Sequence, residues 1–168
     1  MAKAITFGEG VFSINDVDIG LTRGGGQFTV TPEFRQVNAD GDRGPVKGRT
    51  RKTGSVATMV VRALELLPEN LPKLYAATKV TTDGNTITFT GKESVEDSDY
   101  VTVTFTGRTA DGRAVVITLE NALNLEALDW SLVEKDEVVA QLTYTAHYEE
   151  EHRTGTKEPW SVVYTDVA

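Results

Sequence analysis

The chain has no cysteine. That excludes a disulfide framework, a thiol nucleophile and a zinc–thiolate site, and it fits a reducing compartment such as the cytosol. Histidine is nearly absent. His147 and His152 both lie in the run HYEEEH, where a spacing of five would put them on opposite sides of a continuous strand. With no third nitrogen ligand available, a solvated acidic turn is the expectation there, and no metal or other cofactor is assigned. Long apolar runs are also missing. The longest, residues 56–67, is interrupted by Thr58, Arg62 and Glu65 and is too short to cross a bilayer. No membrane insertion is expected. The start, MAKAITFGEG, lacks the apolar core of a signal peptide.

Catalytic patterns are missing as well. Gly24-Gly25-Gly26 and GPVKGRTRKTGS are glycine-bearing and basic, but neither has the spacing or the strand–loop–helix order of a phosphate loop. No Gly-x-Ser-x-Gly elbow is present. Residues 38–42 (NADGD) alternate oxygen ligands as a calcium loop does, yet Arg43 and Arg49 stand where that loop needs glycine and glutamate. A turn rich in Asn, Asp and Gly is the better reading. The acids Glu96, Asp97 and Asp99 read as a charged hairpin end, not as a glycosidase pair. The chain is therefore not expected to be an enzyme.

What is present is a strand pattern. The 168 residues suit one domain spanning 1–168, able to hide roughly 70% of its unfolded surface. Val101, Val103 and Phe105 alternate with Thr102, Thr104 and Thr106; Ile87 and Phe89 with Thr86, Thr88 and Thr90; Val138, Ala140, Leu142, Tyr144 and Ala146 with Val139, Gln141, Thr143, Thr145 and His147. Period two marks half-buried strands, and threonine suits the outer face of a sheet. Turns are expected at Asn15-Asp16, between strands at 11–14 and 17–21, at Asp83-Gly84-Asn85, and at Asp111-Gly112. Residues 23–26 read as a flexible connector into a strand at 27–31. Residues 38–54 (NADGDRGPVKGRTRKTG) read as a long loop, with four glycines, one proline and no apolar face; loops of that length usually bind something. Segment 55–67 should begin as a strand. A short helix should follow, with Asn70 as cap, Pro72 in the first turn, and Leu71, Leu74 and Tyr75 on one face.

The charge is uneven. The net is −8, which argues against tight nucleic-acid binding. From position 120 onward, 11 acids face only Lys135, Arg153 and Lys157, whereas residues 43–52 hold Arg43, Lys47, Arg49, Arg51 and Lys52 without an acid. The two regions can attract each other within one chain or between chains. Trp130 and Trp160 are expected to be core or interface anchors.

The order of these features resembles the bacteriophage tail tube (major tail) protein family of siphophage type. Val17, Asp18, Ile19, Gly20, Thr22, Gly24 and Gly25 match its "V-D-I-G-x-T-x-G-G" step, and Gly41, Gly44, Pro45, Val46, Lys47 and Gly48 match its loop. Residues 112–165 match the order of its C-terminal half. The resemblance implies a mostly β fold: an antiparallel β-sandwich or partly open barrel with one short flanking helix and a long loop. It also implies hexameric rings stacked into a tube, a loop reaching the adjacent ring, an acidic bore through which DNA passes unbound, and contact with a tape measure and other tail proteins. Location would be the virion tail, assembled in the host cytoplasm. On this reading Arg43, Lys47, Arg49, Arg51 and Lys52 contact acid on another subunit, and Glu96, Asp97, Asp99, Glu120, Glu126 and Asp129 are the candidates to line the bore. The competing reading is a monomeric β-sandwich that binds carbohydrate, or an adhesion module, with Trp130 or Trp160 as the stacking platform.

Overall fold

A computed structural model describes residues 5–166. The fold is mostly β, with antiparallel sheets and one short helix. It opens with β1 (Thr6–Ile14) and the two-residue β2 (Val17–Asp18). Asn15 and Asp16 turn the chain with φ of 49° and 64°, the left-handed pair that a tight hairpin needs and that Asn and Asp tolerate. The Asn15 side-chain carbonyl accepts the Thr102 N–H at 2.9 Å, which fixes this turn to a strand far away in sequence. The long hairpin β3 (Thr22–Gln36) and β4 (Thr50–Ala63) follows. A 3₁₀ turn at Pro68–Asn70 runs into α1 (Leu71–Leu74). The rest is β5 (Thr78–Asp83), β6 (Thr86–Gly91), β7 (Val101–Thr109), β8 (Ala114–Asn124), β9 (Ala140–Ala146) and β10 (Trp160–Thr165).

One sheet dominates, in the order β2-β1-β7-β8-β9-β4-β3, with β10 also on β8; β5 and β6 form a separate hairpin. β8 serves two neighbours along one edge. Its residues 114–119 pair with β10 and its residues 122–124 with β9. The change of partner falls at Asn121, whose φ is 49°, as at a β-bulge that bends a strand.

The sheet curls until its ends nearly touch. Phe12 of β1 lies over Gly26 of β3, where a Cβ would sit 2.5 Å from the ring. No backbone ladder joins β1 to β3 among the described residues, so the barrel stays partly open. Inside the curl lie Met59 and Val61, Val103 and Phe105, Leu119, Leu142 and Tyr144, the inward halves of the alternating runs. α1 plugs one end with Leu71, Leu74 and the following Tyr75. So short a helix leaves its last carbonyls unpaired. The Tyr144 hydroxyl donates to the Lys73 carbonyl at 3.1 Å and the Asn124 amide to that of Leu74 at 2.8 Å. Burial pushes the Tyr144 phenol far above its usual 10.0, which keeps it a donor.

Four expectations change. Residues 23–26 are not a connector but part of β3, where Gly24 and Gly25 take φ of 91° and 72° at a register shift between Thr22 and Gly26. The loop is 37–49 instead of 38–54, because Thr50 to Gly54 already pair across β3; backbone pairing does not require an apolar face. The strand expected at 17–21 stops after Asp18. Asn70 makes no side-chain cap bond, since the 3₁₀ turn before it already supplies the helix's opening geometry.

Candidate interaction surface

The β3–β4 hairpin outgrows the sheet. β9 covers β4 only from Thr58 to Ala63, whereas β3 and β4 stay paired down to Gln36 and Thr50. Residues 31–36 and 50–56 thus form an arm beyond the end of β9. The inward row of β3 continues along it as Phe28, Val30, Pro32 and Phe34, by strand alternation. Phe28 and Val30 are half-buried; Phe34 is 61% exposed. The apolar pattern therefore runs out past the core that would cover it. Val37 and Val46 of the loop are exposed too.

Charge at the tip divides in two. Asp42 accepts the Arg49 guanidinium at 2.7 Å and the Ala39 N–H at 2.7 Å, and the Val37 N–H bonds to the Arg49 carbonyl. Asp42 and Arg49 are the clasp of the tip. At the base, Lys52 donates to Glu158 at 2.6 Å, and Glu158 also accepts the Tyr148 hydroxyl at 2.7 Å. Those two bonds, Lys52's first, hold Glu158 below the usual carboxylate range. The attraction between basic segment and acidic C-terminal region is thus realised at least once within the chain. Arg43, Lys47 and Arg51 make no ion pair among the described residues, and all of them are exposed or half-exposed.

The six candidate acids are scattered over three places. Glu96, Asp97 and Asp99 belong to a 3₁₀ turn closed by a capping box. Asp99 is mostly covered and binds Lys92 at 2.8 Å. Burial alone would raise its pKa, but the Glu96 N–H and Lys92 outweigh that and lower it. Glu120 lies on β8, 3.4 Å from Lys157. Glu126 and Asp129 are exposed in the irregular segment 125–139. That segment is pinned at both ends. Trp130 donates to the Tyr75 hydroxyl at 3.0 Å, and Arg23 reaches Glu137 at 3.1 Å. Between the pins Leu132 stands 80% exposed.

Neither tryptophan is an open platform. Trp130 is half-buried and bonded to Tyr75; Trp160 packs on Phe28, ring centroids 5.9 Å apart. The histidines do not share a strand, since β9 ends at Ala146: His147 bonds to the Asn121 carbonyl and meets Tyr100 edge-on, while His152, in a 3₁₀ turn, bonds to Thr156. Among the described residues no three His, Asp or Glu side chains group as a metal site, and no helix is long and apolar enough to cross a membrane.

An apolar cleft was missed from the sequence. It lies between β1 and β3 at the open seam and is lined by Phe7, Phe12, Phe28, Met59, Phe105 and Ile117, with a volume of about 230 Å³. Phe12 over Gly26 and Phe105 over Gly10 give its walls, since a side chain at either glycine would collide with a ring. The available signal was the pairing of Phe7 and Phe12 with the glycines around them. Among the described residues the outer edge of β3 and one side of β10 carry no further strand, and Val163 and Tyr164 are exposed.

The chain matches no protein-family model and no curated protein sequence.

Proposed function

We propose that this chain is a self-assembling structural subunit, which builds stacked hexameric rings into a tail tube that conducts DNA. The observation that carries the reading is the arm. It is a long, paired hairpin that extends past its own core, with Phe34, Val37 and Val46 exposed and Arg43, Lys47 and Arg51 without ion pairs among the described residues. An isolated binding module gains nothing from such an arm, whereas a repeated subunit can place it on the next copy. Ring closure needs two different surfaces that fit each other. The basic arm and the acidic segment 125–139 differ in sign and both expose aliphatic side chains. Edges of β3 and β10 that carry no further strand among the described residues offer backbone pairing of the kind that joins sheets between molecules.

In this role the protein is a conduit without catalysis. A basic bore would hold DNA by counterion release; an acidic one lets the duplex slide. Glu126 and Asp129 are the stronger lining candidates, being exposed and without ion pairs among the described residues, while Asp99 and Glu120 already have cationic partners. Tape measure and other tail proteins, a virion location and assembly in the host cytoplasm belong to the same proposal. Electron microscopy of the concentrated protein, with light scattering, tests it. Rings or tubes are expected; a monomer at every concentration overturns it.

A further inference from the structure

We infer that Phe34 of one copy inserts into the phenylalanine cleft of a second copy, as the aromatic anchor of their contact. The inference rests on the self-assembly reading and adds the residue and its socket. The cleft holds about 230 Å³ and is lined by Phe7, Phe12, Phe28, Met59, Phe105 and Ile117, room for one aromatic side chain and little else. Four of the chain's six phenylalanines line it. Of the other two, Phe89 packs on Tyr75, and Phe34 stands 61% exposed on the arm.

Phe34 cannot fill the cleft of its own chain. It lies six residues beyond Phe28 on the same strand, which is roughly 20 Å of extended backbone. A second copy is the occupant because the arm and the cleft are different surfaces of one molecule, the arrangement that propagates from copy to copy. Charge favours it. Between positions 33 and 52 six bases stand against three acids in a chain of net −8, so the arm is the basic part of an otherwise acidic molecule. Glu9, next in the chain to Gly8 of the cleft's lining, is exposed and makes no ion pair among the described residues. Gly8 leaves the mouth open, with nothing within 4 Å of where its Cβ would be. Aromatic anchors seated in desolvated pockets dominate the energetics of such contacts.

The test replaces Phe34 by the photoreactive p-azidophenylalanine, which keeps the single ring the cleft can hold, mixes that full-length chain with isotope-labelled wild type, irradiates under assembly conditions and maps the cross-linked peptides. Position 34 of one copy should join residues 6–12 or 26–28 of the other. Alongside, Phe34→Ala and Gly8→Leu, which blocks the mouth, should each raise the concentration needed for assembly by about tenfold or more. The double variant should be no worse than the stronger single one, because both remove the same contact. Cross-links to another segment, or fully additive variants, overturn the inference. Tubes without the cleft cross-link reject the socket and keep the tube; cross-linked pairs without rings or tubes keep the socket and reject the tube. A wild type that stays monomeric throughout rejects both.

Discussion

β4 leads two different lives along its length. From Ala57 to Ala63 its alternate residues are buried, with Met59 and Val61 deep in the curl; from Thr50 to Thr53 every residue is exposed. The pairing with β3 runs through both halves, with one register shift in each: between Thr22 and Gly26 in the body and between Glu33 and Phe34 on the arm. The backbone ladder is therefore common to body and arm, and the difference is what lies over the side chains. In the body, β9 and the inner faces of β1, β7 and β8 cover them. On the arm, residues before β10 supply cover beyond β3: Lys52 pairs with Glu158, and Tyr148, Arg153 and Thr154 border Lys52 to Gly54. Buried packing is concentrated in the body, and most residues of the arm are exposed.

The comparison predicts where substitutions unfold the protein and where they do not. Leu142→Ala, in the fully buried centre, should cost about 2–5 kcal/mol through lost transfer energy and a cavity, read as a shift of the urea midpoint. Gly26→Ala tests the seam. Its new methyl would meet the Phe12 ring at 2.5 Å, which can move, and the Val60 carbonyl at 2.6 Å, which is backbone and cannot move alone. A loss of about 1–3 kcal/mol is expected, and a neutral result would mean the barrel is more open than described.

Glu158→Gln tests the base of the arm. Because Lys52 and Tyr148 hold the carboxylate below its usual 4.5, its contribution is present above that value and is lost as pH falls through the lowered one. Wild type should exceed the variant by up to about 1 kcal/mol near neutrality, a value limited by the pair's partial exposure. The gap should close in acid, measured as urea midpoints across pH. The smallest effect is expected at the tip. Arg43, Lys47 and Arg51 changed together to Glu should leave monomer stability within about 0.5 kcal/mol while weakening assembly, most visibly at low salt. Equal loss of stability in this variant and in Leu142→Ala would erase the distinction between body and arm.

Most of the body was legible as text. Period-two alternation marked the strand at 101–106 and one at 138–147 whose ends the structure trims to 140–146, and Asn15-Asp16, Gly84 and Gly112 marked turns because they supply the backbone angles that hairpins require. The short helix after β4 and its buried Leu71, Leu74 and Tyr75 followed from the same kind of pattern. The arm was less legible. Polar residues 50–54 look like loop, since hydrogen bonding of backbone to β3 leaves no mark in side-chain polarity. Residues 23–26 look flexible for the same reason. The candidate site was split likewise: the cations could be named, but not that Arg49 and Lys52 already have partners in the chain while Arg43, Lys47 and Arg51 have none among the described residues.

By itself, the order of residues determined the β character, the turns, the uneven charge and the lack of thiol chemistry, because each depends on local angles or on composition. Only the tertiary structure decided how far the sheet curls, that Phe12 seats on Gly26, that four distant phenylalanines line one cleft, and that Phe34 is left outside it. Those outcomes depend on which strands become neighbours, and contacts between residues far apart in the chain are set by the packing of the whole sheet.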